Sequence, residues 1–176
     1  METQRLILDS FKESDREDYY CNISHDRSVL ETFICPYTET PEELDLRPYV
    51  TNKSLFAIRL KETGRLIGIV LSFHETDGCC EIGYAIGSRC WGRGYASEAV
   101  RRFLAYLFEE RGFRRVYASF FTGNEASRRV MEKCGLRFWR RSEKELTYLG
   151  VERDLIYYTI DREQEQNHVY EHRSQP

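Results

Sequence analysis

The chain has 176 residues, 41% of them hydrophobic and 31% charged, a mixture that suits one globular domain with a full core. Its net charge of −3 provides no global basic field of the kind nucleic-acid binders carry, so no nucleic-acid partner is expected. No apolar run approaches the roughly 20 residues of a membrane span, and the start, METQRLILDS, lacks the basic segment and apolar core of a secretion signal, so a cytoplasmic protein with no membrane partner is expected.

In chain order, Gln4–Leu8 reads as a first strand. Ser14-x-x-Glu17 has the capping-box pattern and opens a helix running to about Ile23. His25–Phe33 reads as a second short helix, and Pro41 followed by Glu42 and Glu43 suits another helix start. Ser54–Arg59 and Leu66–Phe73 read as strands, and Glu62-Thr63-Gly64 between them predicts a hairpin. Thr76-Asp77-Gly78 is the next turn, before a strand at Cys80–Ile86 that completes an antiparallel meander.

Next comes Arg89–Ala99, RCWGRGYASEA, in which Gly92 and Gly94 interrupt a loop flanked by arginines. Ala96, Ala99, Val100, Phe103, Leu104, Leu107 and Phe108 then follow the rhythm of a helix with one buried face, ending near Arg111-Gly112. The order strand, glycine loop, helix has a use. The first N–H groups of a helix have no partner within it, and glycines let a phosphate approach the backbone. Arg89 and Arg93 add positive charge, so the stretch is a candidate pyrophosphate cradle; an ordinary strand-to-helix loop is the plain alternative. A dinucleotide fingerprint fails, because the third glycine is replaced by Ser97 and no ribose-binding acid follows.

Val116–Phe121 reads as a strand parallel to the one before the loop, since a helix intervenes. Asn124–Cys134 reads as a helix closed by Gly135, and Leu136–Arg141 and Glu152–Ile160 as the last strands. Residues 1–162 are expected to form a single domain and 163–176 a polar tail. The cysteines, Cys21, Cys35, Cys79, Cys80, Cys90 and Cys134, match no zinc pattern and contain no C-x-x-C, so cytosolic thiols without a metal are expected.

R-x-x-G-x-G running into Y-A-S-E-A resembles the acetyl-CoA loop of the GNAT N-acetyltransferases. The resemblance extends to Phe120–Leu136 (FFTGNEASRRVMEKCGL) and to Glu2–Leu8 (ETQRLIL), in the family's order, and it is nearest to the branch of ribosomal-protein N-terminal acetyltransferases. It implies an α/β (α+β) fold. The sheet would be mixed, mostly antiparallel and six- to seven-stranded, with a splayed parallel pair and flanking helices. It implies acetyl-CoA as co-substrate, contacted by Ala85 and Ile86 at the strand edge, by Arg89, Cys90, Gly92, Arg93, Gly94, Tyr95, Ala96 and Ser97 in the loop, and by Asn124 and Ser127. The N-terminal helices, about Ser14 to Asn52, would form one wall of the acceptor cleft.

Acetyl transfer from a thioester to an amine needs a base for the ammonium, donors for the oxyanion and a proton or hydrogen bond for the thiolate. Glu81, on the strand entering the loop, is the candidate base; a half-buried Glu that pairs with a neighbouring arginine or simply faces solvent is the alternative. Many family members carry a Tyr seven residues after the helix-opening Asn, and here Met131 stands in that place. Ser127, three residues after Asn124, and Tyr84 are the candidate donors. Asn124 is also the default N-cap. Arg128 and Arg129 put cations at a helix start, against the dipole, which hints at a bound anion or else at surface charge. The expected reaction is direct attack by a primary amine in a ternary complex, on a protein N-terminus first and on a polyamine, aminoglycoside or other small amine next. Glu31, Glu39, Glu42, Glu43 and Asp45 in the helical wall fit a polyamine but also fit a helix surface. A CoA-binding module without turnover, acting as sensor or scaffold, is the second reading. The chain is expected to be a monomer or a homodimer.

Overall fold

The computed structural model describes residues 1–162; the polar tail expected at 163–176 lies outside the described residues. Seven strands, β1 (Leu6–Ser10), β2 (Leu55–Leu60), β3 (Leu66–Thr76), β4 (Cys79–Ile86), β5 (Arg115–Phe121), β6 (Arg137–Tyr148) and β7 (Val151–Asp161), hydrogen-bond in the order β1-β2-β3-β4-β5-β7-β6. β4 and β5 run parallel, and the β1–β2, β2–β3, β5–β7 and β6–β7 pairs run antiparallel. The mixed sheet expected from the sequence is therefore present. The chain divides into two compact units, Met1–Ser72 with Gly83–Phe103, and Phe73–Ile82 with the chain from Leu104 onward. Among the described residues, no helix is long and apolar enough to cross a membrane.

In the first unit, β1 begins at Leu6 rather than Gln4. The Arg5 N–H and the Thr3 hydroxyl both bond to the Glu98 carboxylate, while the Arg5 carbonyl still accepts the Lys61 N–H at 2.9 Å just before the β1–β2 pairs begin. The helix expected from Ser14 is a run of three short geometries. A 3-10 turn (Glu13–Asp15) leads into α1 (Arg16–Tyr19) and then a wider turn (Tyr20–Ser24). The Lys12 N–H donates to the Asp15 carboxylate at 2.8 Å and the Asp15 N–H to the Lys12 carbonyl at 3.0 Å, so the start is fixed two residues earlier than the Ser14 pattern predicts. α2 is only Arg27–Leu30, capped by Asp26, and α3 is Arg47–Val50.

These short helices are held by burial, because none is long enough to be stable alone. Tyr19, Ile23, Leu46 and Leu66 are almost fully buried in one cluster with Phe11, Leu55 and Ile69. The Tyr19 hydroxyl lies 3.1 Å from that of Tyr49, and burial pushes the Tyr19 phenol far above its ordinary value. On β2, Arg59 is a buried cation, 8% exposed. Its guanidinium forks onto Asp15 with bonds of 2.5 and 2.8 Å and reaches Asp9 at 2.6 Å.

In the second unit, β5 and the helix α5 (Glu125–Lys133) bury Val116, Ala118, Phe120 and Met131. β7 inserts between β5 and β6, with Val116 opposite Ile160 and Ala118 opposite Tyr158. The last two strands are longer than the sequence indicates. β6 continues to Tyr148 through residues that are largely exposed, so there is no alternation to read. The turn is Leu149-Gly150, with φ of +52° and +74°, the left-handed pair that a two-residue hairpin requires.

Candidate active site

The glycine loop belongs to the first unit, between the end of β4 and the helix α4 (Tyr95–Glu109). Three bonds tie its first half. The Gly87 N–H donates to the Ile67 carbonyl at 2.9 Å, the Ser88 N–H to an Asp26 carboxylate oxygen at 2.8 Å, and the Trp91 indole to the Ile86 carbonyl at 2.6 Å. Gly68 permits the close passage of β3 beside this strand end, since a Cβ there would sit 2.2 Å from the Ala85 carbonyl oxygen. In the second half, Gly92 and Gly94 have φ of +74° and +79°, which glycine adopts without cost. Nothing lies within 4 Å of where a Gly92 Cβ would stand, so the backbone is open to a ligand.

Arg89 and Arg93 are exposed, and Tyr95 and Ala96 are half-buried at the helix start, whereas Ser97 is buried. The sequence reading missed Arg5. It donates to the Arg93 carbonyl at 2.9 Å and to Glu98 at 2.7 Å, and lies 4.5 Å over the Tyr95 ring. No local pattern could reveal it, because its partners are 88 to 93 positions away.

Glu81 lies in the second unit, on the four-pair parallel ladder that runs from Cys79↔Arg115 to Ile82↔Ala118. It is 6% exposed. Ser119 Oγ donates to Oε1 at 2.7 Å, and His74 Nδ1 lies 3.1 Å from Oε2. The His74 side chain is 71% exposed and that of Glu81 8%, so the imidazole stands between a buried carboxylate and solvent. His74 holds this position with φ of +48°.

Tyr117 is in register with Glu81; burial, then the Glu81 charge, pushes its phenol up. Tyr157, opposite Ser119, is likewise pushed up by burial and by its 2.7 Å bond to Glu145. Tyr84 follows three residues after Glu81 on β4, half-buried, in the first unit.

Asn124 is the N-cap of α5, its side-chain oxygen accepting the Ser127 N–H at 3.1 Å. At Arg128 the surface-charge alternative describes the structure. Arg128 bonds to Glu125 and Glu132, each at 2.7 Å, so its charge is balanced on its own helix. Met131 is a core residue, 1% exposed. None of the six cysteines is in a disulfide. Burial pushes the Cys80 thiol up to about 12 and the Cys35 thiol to about 11, which makes both poor nucleophiles at neutral pH.

The model of the acetyltransferase (GNAT) domain matches residues 5–137. The chain belongs to the GNAT acetyltransferases. Among curated relatives, this GNAT chain is 42% identical over 154 residues to the uncharacterized protein YkkB of Bacillus subtilis (strain 168), covering 81% of this chain and 87% of YkkB. It is 35% identical over 100 residues to the putative ribosomal N-acetyltransferase YdaF of the same organism, covering 55% of this chain and 54% of YdaF. Among solved structures, the GNAT-family acetyltransferase from Bacillus anthracis superposes with a TM-score of 0.82 at 28% identity, covering 93% of this chain and 98% of that one.

As a GNAT enzyme the chain is an N-acetyltransferase that uses acetyl-CoA as its acetyl donor. The residues fit that co-substrate. An open Gly92, a helix start and two exposed arginines are what a pyrophosphate needs. Of the residues read from sequence, the loop members stand together in the first unit, and Glu81, Asn124 and Ser127 belong to the second. Ser119 was the discoverable omission: it lies two positions beyond Tyr117, which the parallel register sets beside Glu81. His74 left no signal, because it sits where β3 departs from regular strand geometry.

Proposed function

We propose that this GNAT enzyme acetylates a primary amine, a protein N-terminal α-amine before other acceptors, by direct attack on acetyl-CoA in a ternary complex. The observation that carries this reading is the buried Glu81 carboxylate, held at both oxygens by Ser119 and His74. An ammonium has no lone pair, and a positioned carboxylate on the strand that enters the donor loop is suited to remove its proton, directly or through water. The nitrogen then attacks the thioester carbon, the C–S bond breaks, and the thiolate leaves. Ser127, in the first turn of α5, and Tyr84, on β4, are the proposed donors to the departing sulfur. The loop residues Arg89, Cys90, Gly92, Arg93, Gly94, Tyr95, Ala96 and Ser97 are the proposed phosphate contacts, Ala85 and Ile86 the proposed pantetheine edge, and Asn124 a further contact. The Ile86 carbonyl already accepts the Trp91 indole, so the Ile86 share of that edge falls to its N–H.

The preference for a peptide terminus over a polyamine rests on the helical wall. Of its five acids, Glu39 accepts the Tyr37 hydroxyl, Glu43 accepts the Glu39 N–H, and Asp45 pairs with Arg47. Asp45 is therefore balanced by a neighbouring cation, and Glu39 and Glu43 are exposed carboxylates each held at one oxygen by a neutral donor. The name of the partial relative YdaF points the same way. A cytoplasmic setting goes with six cysteines in no disulfide.

The test is thiol release from acetyl-CoA across N-terminal peptides, polyamines and aminoglycosides, with the product's acetyl position read by mass spectrometry and CoA binding read by calorimetry. Turnover favouring a peptide α-amine supports the proposal. A preference for polyamines would overturn the acceptor assignment, and absence of CoA binding would overturn the whole reading.

A further inference from the structure

We propose that Arg5 is a positioning residue for the acetyl-CoA pyrophosphate, aiming the glycine loop and neutralising the carboxylate that shares the start of α4. This rests on the reading that the Gly92–Ser97 loop takes the pyrophosphate.

The first part of the argument is electrostatic. A helix start attracts anions, but α4 carries an acid of its own, Glu98, in its first turn. Burial pulls the Glu98 carboxyl up, but the Thr3 hydroxyl, the Arg5 N–H and the Arg5 guanidinium outweigh it and hold the group below its ordinary value. An ionised carboxylate there satisfies the same positive helix end that a phosphate would use, and repels the phosphate as well. Arg5 cancels that charge at close range. Its backbone N–H meets one Glu98 oxygen at 2.9 Å, and its Nε and Nη2 meet the other at 2.7 and 2.6 Å.

The second part is conformational. Arg93 lies between two glycines with left-handed backbones, the residue type with the widest backbone freedom. Arg5 Nη1 donates to the Arg93 carbonyl at 2.9 Å. In a trans peptide the carbonyl and the next N–H point in opposite directions. Fixing the Arg93 oxygen on Arg5 therefore turns the Gly94 N–H away from Arg5, as a donor for an incoming anion. The guanidinium also stacks 4.5 Å over Tyr95, the first residue of α4, so one planar group braces the carbonyl, the carboxylate and the ring. A lysine ammonium is a point charge and cannot make this set of contacts together.

The experiment compares wild type with Arg5→Gln, Arg5→Lys and the double variant Arg5→Gln/Glu98→Gln. The readouts are kcat and KM for acetyl-CoA, the competitive inhibition constant of ADP, which carries the pyrophosphate but no pantetheine, and the thermal midpoint. Arg5→Gln is expected to raise KM for acetyl-CoA by about ten-fold or more, the scale of losing a charge-assisted network. The ADP constant should rise by the same factor, with kcat within about two-fold. Arg5→Lys should fall between wild type and Arg5→Gln. The double variant should regain part of the lost affinity, because the uncompensated carboxylate is gone. An unchanged KM overturns the proposal. So does a loss of kcat that tracks a lowered thermal midpoint, since that is what a merely structural role produces. ADP that fails to compete in wild type would instead sink the underlying loop assignment.

Discussion

Replacing Glu81 by Gln keeps the side chain's shape and removes its charge and basicity. Ser119 can still donate to the amide oxygen, and the new NH2 can donate to His74 Nδ1 where that nitrogen presents a lone pair. The folding cost is the exchange of charge-assisted bonds for neutral ones, about 1 kcal/mol. The catalytic cost is that of losing a positioned general base, about 10²–10⁴-fold in rate, which corresponds to roughly 3–5 kcal/mol of barrier. The two figures differ enough to be separated. Thiol release gives kcat, calorimetry gives CoA affinity, and urea unfolding gives stability. The expected outcome is a kcat loss of about a hundred-fold or more, with CoA affinity intact and a small shift in the unfolding midpoint. A rate within about three-fold of wild type across the neutral range, with folding intact, would refute Glu81 as the base.

Other expectations follow from the frame around the site. Arg59→Met leaves Asp15, 2% exposed, as a buried charge without its guanidinium, and should lower stability by about 3–5 kcal/mol in denaturant titration; adding Asp15→Leu should restore much of it. Gly68→Ala puts a methyl 2.2 Å from the Ala85 carbonyl and 2.7 Å from Ile86 Cδ1. It should cost about 1–3 kcal/mol and raise KM for acetyl-CoA, because β4 must shift just before the loop; normal stability and KM would show that the strands yield freely. Acid sensitivity has a defined sign. Burial raises the Asp9 carboxyl, but Lys12 and Arg59 outweigh it and hold the group below its ordinary value, so unfolding takes up a proton between the two values. That contribution is complete above the ordinary carboxyl value and fades as pH falls through the lowered one. Thermal midpoints measured down a pH series should therefore decline less steeply in Asp9→Asn than in wild type.

What could be read from the sequence follows the range of the interactions. The glycine loop and α4 are legible because the glycines and the apolar stripe lie within about twenty consecutive residues. Glu81 is legible by its place on the strand before the loop. Its partners are not, since Ser119 and His74 join it only through the parallel register and an irregular end of β3. The N-terminal helices are poorly legible because burial of Tyr19, Ile23 and Leu46, rather than propensity, decides their short lengths. β6 runs past Arg141 without an apolar pattern because its outer half is exposed. Arg128 misleads for a related reason: a local charge argument ignores the acids at three positions before and four after.

The parallel ladder that carries Glu81 also bears on how the protein reaches its native state. Its partners are thirty-six positions apart in every pair, 79 with 115 through 82 with 118. The β6–β7 hairpin, by contrast, closes over two residues and the β2–β3 hairpin over five. Loop-closure entropy favours the hairpins early and the four-pair parallel ladder late. The residues proposed for proton removal would then assemble after the two hairpins, with the β1–β2 pairs, 46 to 54 positions apart from Ser10↔Phe56 to Leu6↔Leu60, still to close. A chain released too early from its ribosome or chaperone would hold much of its secondary structure and no chemistry.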